Sequence, residues 1–393
     1  MASRLTFAAM GLGAALAASP AFSAEPVTIG MITTLSGPAG YLGEDVRDAF
    51  ILAMDEEGGD KLGGVDVELI VEDDGLKPEN AQQIADRMIK RDNAEIITGI
   101  IFSNISPIVA PMTLGAGRFY ISPNSAPSIF AGDKCHEDYF AVAWQNDSLH
   151  EAAGITAQKG GFKSAVVMAP NYQAGKDSIA GFKRFFEGEI VDEIYTQLGQ
   201  TDYAAEIAKI RAADPEMVFY FLPGGMGINF MKQYDQSGMK SEIPLIVSAP
   251  SLEQRVMEAV GEASLGVATS SHWNADLDNA ANKTFVEGFR AKYGREPTPY
   301  ASQGYDTAKL IASALKATGG KVMDDKDGFR SALKAADFES VRGDFAFANN
   351  NHPIHDWYSI RAQKGDDGKL RLVTTGVIAE DHVDAYHDKC PLK

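Results

Sequence analysis

A chain of 393 residues with 45% apolar and 23% charged content is globular in composition and too long for one ordinary core. Two domains are expected, and a disordered or collagen-like chain is excluded. The net charge of −18 argues against nucleic acid or an anionic membrane surface as partner, while a local nest of backbone N–H groups can still hold a small anion.

The first segment, "MASRLTFAAMGLGAALAASPAFSA", carries one early Arg4, an apolar run, Pro20, and small residues at Ala21, Ser23 and Ala24. This pattern is expected to be a cleaved secretory signal peptide over 1–24, which sends the product to the periplasm. The apolar run is short and interrupted for a membrane span, and no later segment approaches the ~20 apolar residues a span needs. No cysteine follows it closely, so a lipid anchor is not indicated.

Strand and helix patterns then alternate. "VTIGMIT" (27–33) reads as a strand, "GEDVRDAFILAMDEEGG" (43–59) as a helix, "VDVELIVED" (65–73) as a strand and "KPENAQQIADRMIKRD" (77–92) as a helix with Pro78 in its first turn. "EIITGIIF" is a third strand, continuing through Ile100 and Ile101, and "RFYISP" (118–123) a fourth. After "YFAVAWQND" (139–147) the rhythm restarts. Strands are expected at 164–170, 189–195, 216–223, 243–250 and 265–271, with helices at 175–188, 202–214 and 227–238. Helical patterns return at 279–294, 302–320 and 326–337, and the tail turns to short antiparallel strands. Repeated β-α-β implies parallel sheets flanked by helices. Two such units crossed more than once by the chain imply a hinge, with the crevice between them as the ligand site.

In open α/β sheets, ligands sit beyond the carboxyl ends of strands. Here those ends read "TTLSGPAGYLG", "FSNIS", "SPNSAPS", "APNYQAGKD", "LPGGMG" and "SAPS". Ser103, Asn104 and Ser125 are expected where following helices begin, offering hydroxyls and free N–H groups to a carboxylate. Tyr41, Phe102, Tyr172 and Trp144 are candidate apolar walls. Any one such serine is an ordinary helix cap taken alone, so the weight lies in their recurrence at several strand ends.

The stretches "VTIGMITTLSGPAGYLGEDVRDAFILAMDEEGG", "VEDDGLKPENAQQIADRMI" and "VVMAPNYQAGKDSIAGFKRFF" resemble the type I periplasmic solute-binding proteins of ABC importers, the Leu/Ile/Val-binding family. The resemblance covers essentially the whole chain after the leader. "GIIFSN", "APNYQAGKD", "FLPGGMG" and "WQND" are similar to a branch associated with uptake of aromatic acids such as nitrobenzoate. It implies two doubly wound, Rossmann-like α/β lobes with a multi-strand hinge that close around a solute and engage a membrane permease. It further implies a carboxylate held at Ser103 and Ser125, with Asn124 or the Ala126 backbone nearby, a second-lobe contact at Tyr172, and another at the turn Pro223, Gly224, Gly225. Amino-acid binders of this family carry an acid after the strand matching "PLIVSAP". That step here reads Ser248, Ala249, Pro250, with Glu253 only later. A buried ammonium without a carboxylate is costly, which favours an aromatic carboxylate over a branched aliphatic amino acid. A misplaced alignment of Glu253 would restore the amino acid, and a periplasmic sensor of the same fold is the other alternative.

The expected division is 25–143 plus 270–340 for the first lobe and 144–269 plus 341–393 for the second, in a monomer. Cys135 and Cys390 are an even pair in an oxidising compartment and are expected to form a disulfide. "HPIHD" (352–356) lacks a third ligand at suitable spacing, so no metal is expected and its histidines are assigned to surface or hinge-adjacent hydrogen bonds. The acidic run Glu72, Asp73, Asp74 is assigned to turn formation before Pro78, since no EF-hand loop follows. "PGGMG" lacks the Lys-Ser/Thr ending of a phosphate loop, and neither a G-x-S-x-G elbow nor H-E-x-x-H occurs. No cofactor or enzymatic activity is expected.

Overall fold

The computed structural model describes residues 25–392, so the expected signal peptide lies outside the described residues. Two sheets organise the chain. In the first, neighbouring strands run Lys61–Leu62, Val65–Asp73, Val27–Thr33, Ile96–Thr98, Phe119–Ser122, Tyr139–Ala141. All pairings are parallel except the short edge pair of Lys61–Leu62 with Val65–Asp73. In the second the order is Ala346–Phe347, Pro353–Lys364, Ala268–Ser271, Leu245–Ser248, Met217–Tyr220, Ser164–Pro170, Glu189–Thr196, with Leu370–His382 also paired to Pro353–Lys364. Its five strands between residues 164 and 271 are mutually parallel, and the late strands join antiparallel. This is the type I periplasmic binding fold.

The strand order fixes where a ligand can sit. In the first sheet the order reverses at Val27–Thr33, so a crevice opens between its carboxyl end and that of Ile96–Thr98. In the second it reverses between Ser164–Pro170 and Met217–Tyr220. Helices leaving on opposite faces at such a switch point part the loops and leave a polar-rimmed cleft. The chain passes between the sheets after Tyr139–Ala141, after Ala268–Ser271 and before Pro353–Lys364. The intervening helices Ala280–Tyr293, Pro299–Thr318 and Lys326–Ala335 return to the first sheet, where Phe285, Leu310 and Phe329 join its core. Val341, Phe345 and Phe347 pack there as well. A single apolar cluster runs across the cleft, linking Ile32 and Phe102 to Tyr172 and Phe219.

Several elements differ from the sequence expectation, the helix Gln254–Val260 among them. The third strand stops at Thr98 and does not include Ile100 and Ile101, because Gly99 takes φ 101°, a conformation that ends the pleat, and a Cβ there would lie 2.7 Å from the Ile32 carbonyl oxygen. Asn146–Lys159 is an unanticipated helix, buried over its whole first half. The tail strands are 12 and 13 residues long rather than short, since the turn at Gly365 and Gly368 folds one long ribbon back on itself.

Candidate functional site

Past Gly99 the chain runs without regular structure to Phe102, then turns, with the Ile105 N–H donating to the Phe102 carbonyl at 3.0 Å. The helix begins only at Ser106, capped by Ile105 without a side-chain bond. Ser103 and Asn104 therefore precede the helix and do not cap it, which corrects the expectation. Among the described residues, no protein acceptor engages their backbone N–H groups. Ser125 is not at an α-helix start either; only the short turn Ser128–Phe130 follows.

The hydroxyls form a buried chain. Ser125 Oγ lies 2.7 Å from both Ser103 Oγ and Ser106 Oγ. Asn146 Nδ2 donates to Ser103 Oγ at 3.1 Å and to Asp177 Oδ2 at 3.0 Å, while Asn146 Oδ1 accepts from the Ala126 N–H at 3.2 Å. The Ser125 N–H is spent on the Ile100 carbonyl at 3.2 Å. Ser125 and Ala126 thus stand behind Ser103 and orient it, with their own N–H groups already paired. Asn124 Nδ2 donates to Gln303 Oε1 at 2.8 Å, which fixes the amide face it presents.

In front of Ser103 lies a small cavity of about 30 Å³. Of the expected residues, Phe102, Ser103, Asn124, Trp144, Tyr172 and Pro223 line it. Asn104, Ser125, Ala126, Tyr41, Gly224 and Gly225 do not. Asn146, His150, Phe221 and Tyr300 line it unforeseen. The Tyr172 and Phe221 rings are nearly parallel at 6.3 Å, and Phe221 meets His150 edge-on at 4.8 Å. His150 Nδ1 is 2.8 Å from Ser248 Oγ. Burial holds its pKa down at about 3, so the imidazole is neutral. No Asp, Glu, Lys or Arg lines the cavity.

The remaining expected residues hold the two lobes together. Gly224, at φ 66° ahead of the helix Gly225–Gln236, and Gly225 let the second lobe approach Ala39, Leu42 and Pro38 so closely that a Cβ on Gly225 would sit 3.0 Å from Pro38 Cβ. Tyr41 donates its hydroxyl to Glu253 Oε1 at 2.8 Å. Glu253, fully buried, also accepts the Arg255 and Val256 N–H groups as the cap of the helix Gln254–Val260. Burial, despite these bonds, pushes its pKa up to about 7. Arg255 lies over the Tyr41 ring and within 3.9 Å of Asp45. Ser128 bridges to Asp177 through its hydroxyl at 2.7 Å and its N–H at 3.2 Å. A second, larger cavity of about 210 Å³ lies at the cleft mouth and shares Phe102 and Pro223 with the inner one.

Elsewhere, Cys135 and Cys390 are joined, Cα to Cα 5.8 Å, across a sequence separation of 255. His352 and His355 are both buried at the hinge rather than on the surface. His352 Nδ1 is 3.0 Å from the Asn350 carbonyl and His355 Nδ1 is 3.4 Å from Arg342. Among the described residues no group of three or more metal-type ligands converges. Asp73 and Asp74 accept the N–H groups of Gly75 and Leu76, and Asp74 also the Thr34 hydroxyl at 2.7 Å, making the turn before Pro78.

A family model described as periplasmic binding protein matches residues 26–369. A Leu/Ile/Val-binding protein homolog 6 from Brucella melitensis is 28% identical over 365 residues, spanning 90% of this chain and 91% of that protein. A solute-binding protein of an ABC transporter from R. palustris, solved in complex with benzoate, superposes with TM-score 0.88 at 29% identity, covering 93% of this chain and 100% of that one. Another from Rhodopseudomonas palustris BisB5, in complex with 3,4-dihydroxybenzoic acid, gives TM-score 0.83 at 28% identity over 92% and 99%.

Proposed function

The chain belongs to the periplasmic binding protein family, and from that premise we propose that it is the solute-capturing component of an ABC importer, closing two lobes on a small aromatic carboxylate. The observation that carries this reading is the chemistry of the inner cavity. Neutral hydrogen-bonding groups, Ser103, Asn124, Asn146 and His150, line it together with the aromatic rings of Phe102, Trp144, Tyr172, Phe221 and Tyr300. The Ser103 N–H, which no protein acceptor engages, adds a donor of the kind that binds a carboxylate without a cation.

The absence of an acid among the lining residues supports a ligand without an ammonium group. Glu253, the one acid that follows the relevant strand, is engaged by Tyr41 and by its own helix N-terminus. The solved relatives with benzoate and 3,4-dihydroxybenzoic acid support the same class. Closure follows from population shift, because a ligand touching Ser103 from one lobe and Tyr172 from the other is fully contacted only in the closed form. Ser103, Asn124 and His150 hold the carboxylate, and Asn146, its amide hydrogens already given to Ser103 and Asp177, orients the Ser103 hydroxyl; Phe102, Trp144, Tyr172 and Phe221 enclose the ring. The protein acts in the periplasm after removal of its leader, and the lobes meet at the three chain crossings near 142, 271 and 350.

The test is thermal melting of purified, ligand-stripped protein with benzoate, 4-hydroxybenzoate and leucine. A ligand bound by the folded state alone raises the melting temperature by mass action. Benzoates are expected to raise it and leucine to leave it unchanged. A rise with leucine alone would overturn the assignment.

A further inference from the structure

The tail after the last strand continues from the second sheet but fastens to the first lobe. Cys390 is bonded to Cys135, which lies in the loop between Phe119–Ser122 and Tyr139–Ala141 of the first sheet. The consecutive asparagines of "ANNNHP" knit the same place together. Asn349 Nδ2 donates to the carbonyls of His387, at 3.0 Å, and Leu392, at 3.3 Å. Asn350 Nδ2 donates to the Ala131 carbonyl and to Asp384 Oδ2, both at 2.8 Å. Asn351 Nδ2 reaches the Glu137 carbonyl at 3.3 Å, and the Asn351 carbonyl accepts from the Ala141 N–H at 3.0 Å. The other end of the tail is held separately. His382 Nε2 lies 2.6 Å from Glu151 Oε2, and the Tyr386 hydroxyl donates to Asp147 Oδ2 at 2.7 Å while accepting from Arg184. Asp147, Glu151 and Arg184 sit on the helices Asn146–Lys159 and Gln173–Phe185, which pack against each other and against the second sheet.

We propose that this tail is a strap, a fourth crossing between the lobes closed covalently by Cys135–Cys390, and that it limits how far the empty protein opens. Lobes joined only by the three chain crossings near 142, 271 and 350 are free to twist as well as to part. The tail adds a tie between the loop at Ala131 to Glu137 and the helices Asn146–Lys159 and Gln173–Phe185. Only Val383 separates His382, at Glu151, from Asp384, at Asn350, and two residue steps span at most about 7 Å. Parting those anchors further breaks one of the two contacts, and the chain beyond them still ends on a covalent bond. No residue of the tail lines the inner cavity, so the strap acts on the open form and leaves the ligand's own contacts as they are. The inference needs only that the two lobes part, and it is independent of the ligand class given under Proposed function.

Small-angle X-ray scattering of the ligand-stripped mature protein reads the opening. A compact chain of this length has a radius of gyration of about 21 Å, and lobes released to open further add about 0.5–1 Å. Two variants are compared with the parent. Cys135→Ser together with Cys390→Ser cuts the strap. Tyr386→Phe together with Gly-Ser-Gly-Ser inserted between His382 and Val383 keeps the disulfide but slackens the strap by about 13 Å, and so short an insertion costs little stability. Both variants are expected to enlarge the empty protein by that amount with far-UV circular dichroism unchanged. A radius unchanged in the slackened protein would overturn the proposal, whether or not the serine variant folds. So would an enlargement accompanied by loss of helical signal, which would mark local unfolding in place of opening.

Discussion

Tyr41→Phe removes one oxygen atom from a contact that exists only when the lobes are together. The Tyr41 hydroxyl donates to Glu253 Oε1 at 2.8 Å, across 212 residues of sequence and from one lobe to the other. Glu253 is buried, and that burial raises its pKa to about 7 from an ordinary 4.5. At about 1.4 kcal/mol per unit, an ionised Glu253 costs the closed form about 3 kcal/mol above pH 7. The sign follows from the raised value: this cost is absent below pH 4.5, grows as pH rises, and is complete above pH 7. The tyrosine hydroxyl offsets part of it by favouring the charged carboxylate. A hydrogen bond to a charged group contributes about 1.5–3 kcal/mol, against about 0.5–1.5 kcal/mol for a neutral pair. Tyr41 and Glu253 belong to opposite lobes, so parting the lobes breaks their bond, and its loss falls on closure and appears in the ligand dissociation constant. Tyr41→Phe is therefore expected to weaken benzoate binding about 10- to 100-fold at pH 8 but only about 2- to 10-fold at pH 5.5. Asp45, with its pKa raised to about 6 by burial, titrates in the same window but is common to both proteins and cancels in the ratio. Calorimetry at the two pH values reads it. A loss that is equal at both, or none at pH 8, would refute the role of Glu253 as an inter-lobe partner.

Three further outcomes follow from the same geometry. Ser103→Ala removes a cavity hydroxyl and is expected to weaken carboxylate binding about tenfold, whereas Ser125→Ala leaves buried partners unpaired and lowers stability by about 1–3 kcal/mol with a smaller effect on affinity; calorimetry beside chemical denaturation separates the two. Reduction of Cys135–Cys390, which closes a loop of 255 residues, is expected to cost about 5 kcal/mol by loop entropy, read as a lower denaturation midpoint with ligand affinity kept. His150 is held near pKa 3 by burial, so folding opposes its protonation and its share of stability falls as pH drops below about 6.5. His150→Gln is expected to lose about 2.7 kcal/mol less than the parent between pH 7 and pH 4.5, and equal losses in denaturant titrations would refute this.

How much of this could be read from the sequence depends on how local each cause is. The parallel strands were legible because a strand buried on both faces is a continuous apolar run, as in "VTIGMIT" and "SAVVMAP". Phe102, Ser103, Asn124, Tyr172 and Pro223 were legible because strand ends at switch points face the cleft whatever the details of packing. The helix Asn146–Lys159 was not. Its first half is buried on every side, so polar residues such as Asp147, His150 and Glu151 are paired inside the protein and no amphipathic stripe marks it. With that helix went His150 and Asn146, two of the polar groups that line the inner cavity. The only local trace was the Gln145 side chain accepting from the Ser148 N–H, a cap that residue type alone does not advertise.

Glu253 marks the deeper limit. Sequence comparison asks whether an acid is present to meet an ammonium, and by that standard Glu253 is ambiguous by a few residues. What decides its role is the company it keeps: two N–H groups of its own helix and a tyrosine from the opposite lobe. A carboxylate already holding three donors has little left for a ligand cation, and it is absent from the residues lining the inner cavity. Glu253 is held instead in a contact between the lobes. A change at Tyr41 should alter the strength of closure, while a change at Ser103 should alter the contacts made inside the cavity, and that contrast separates the part of the affinity that comes from shutting the cleft from the part that comes from filling it.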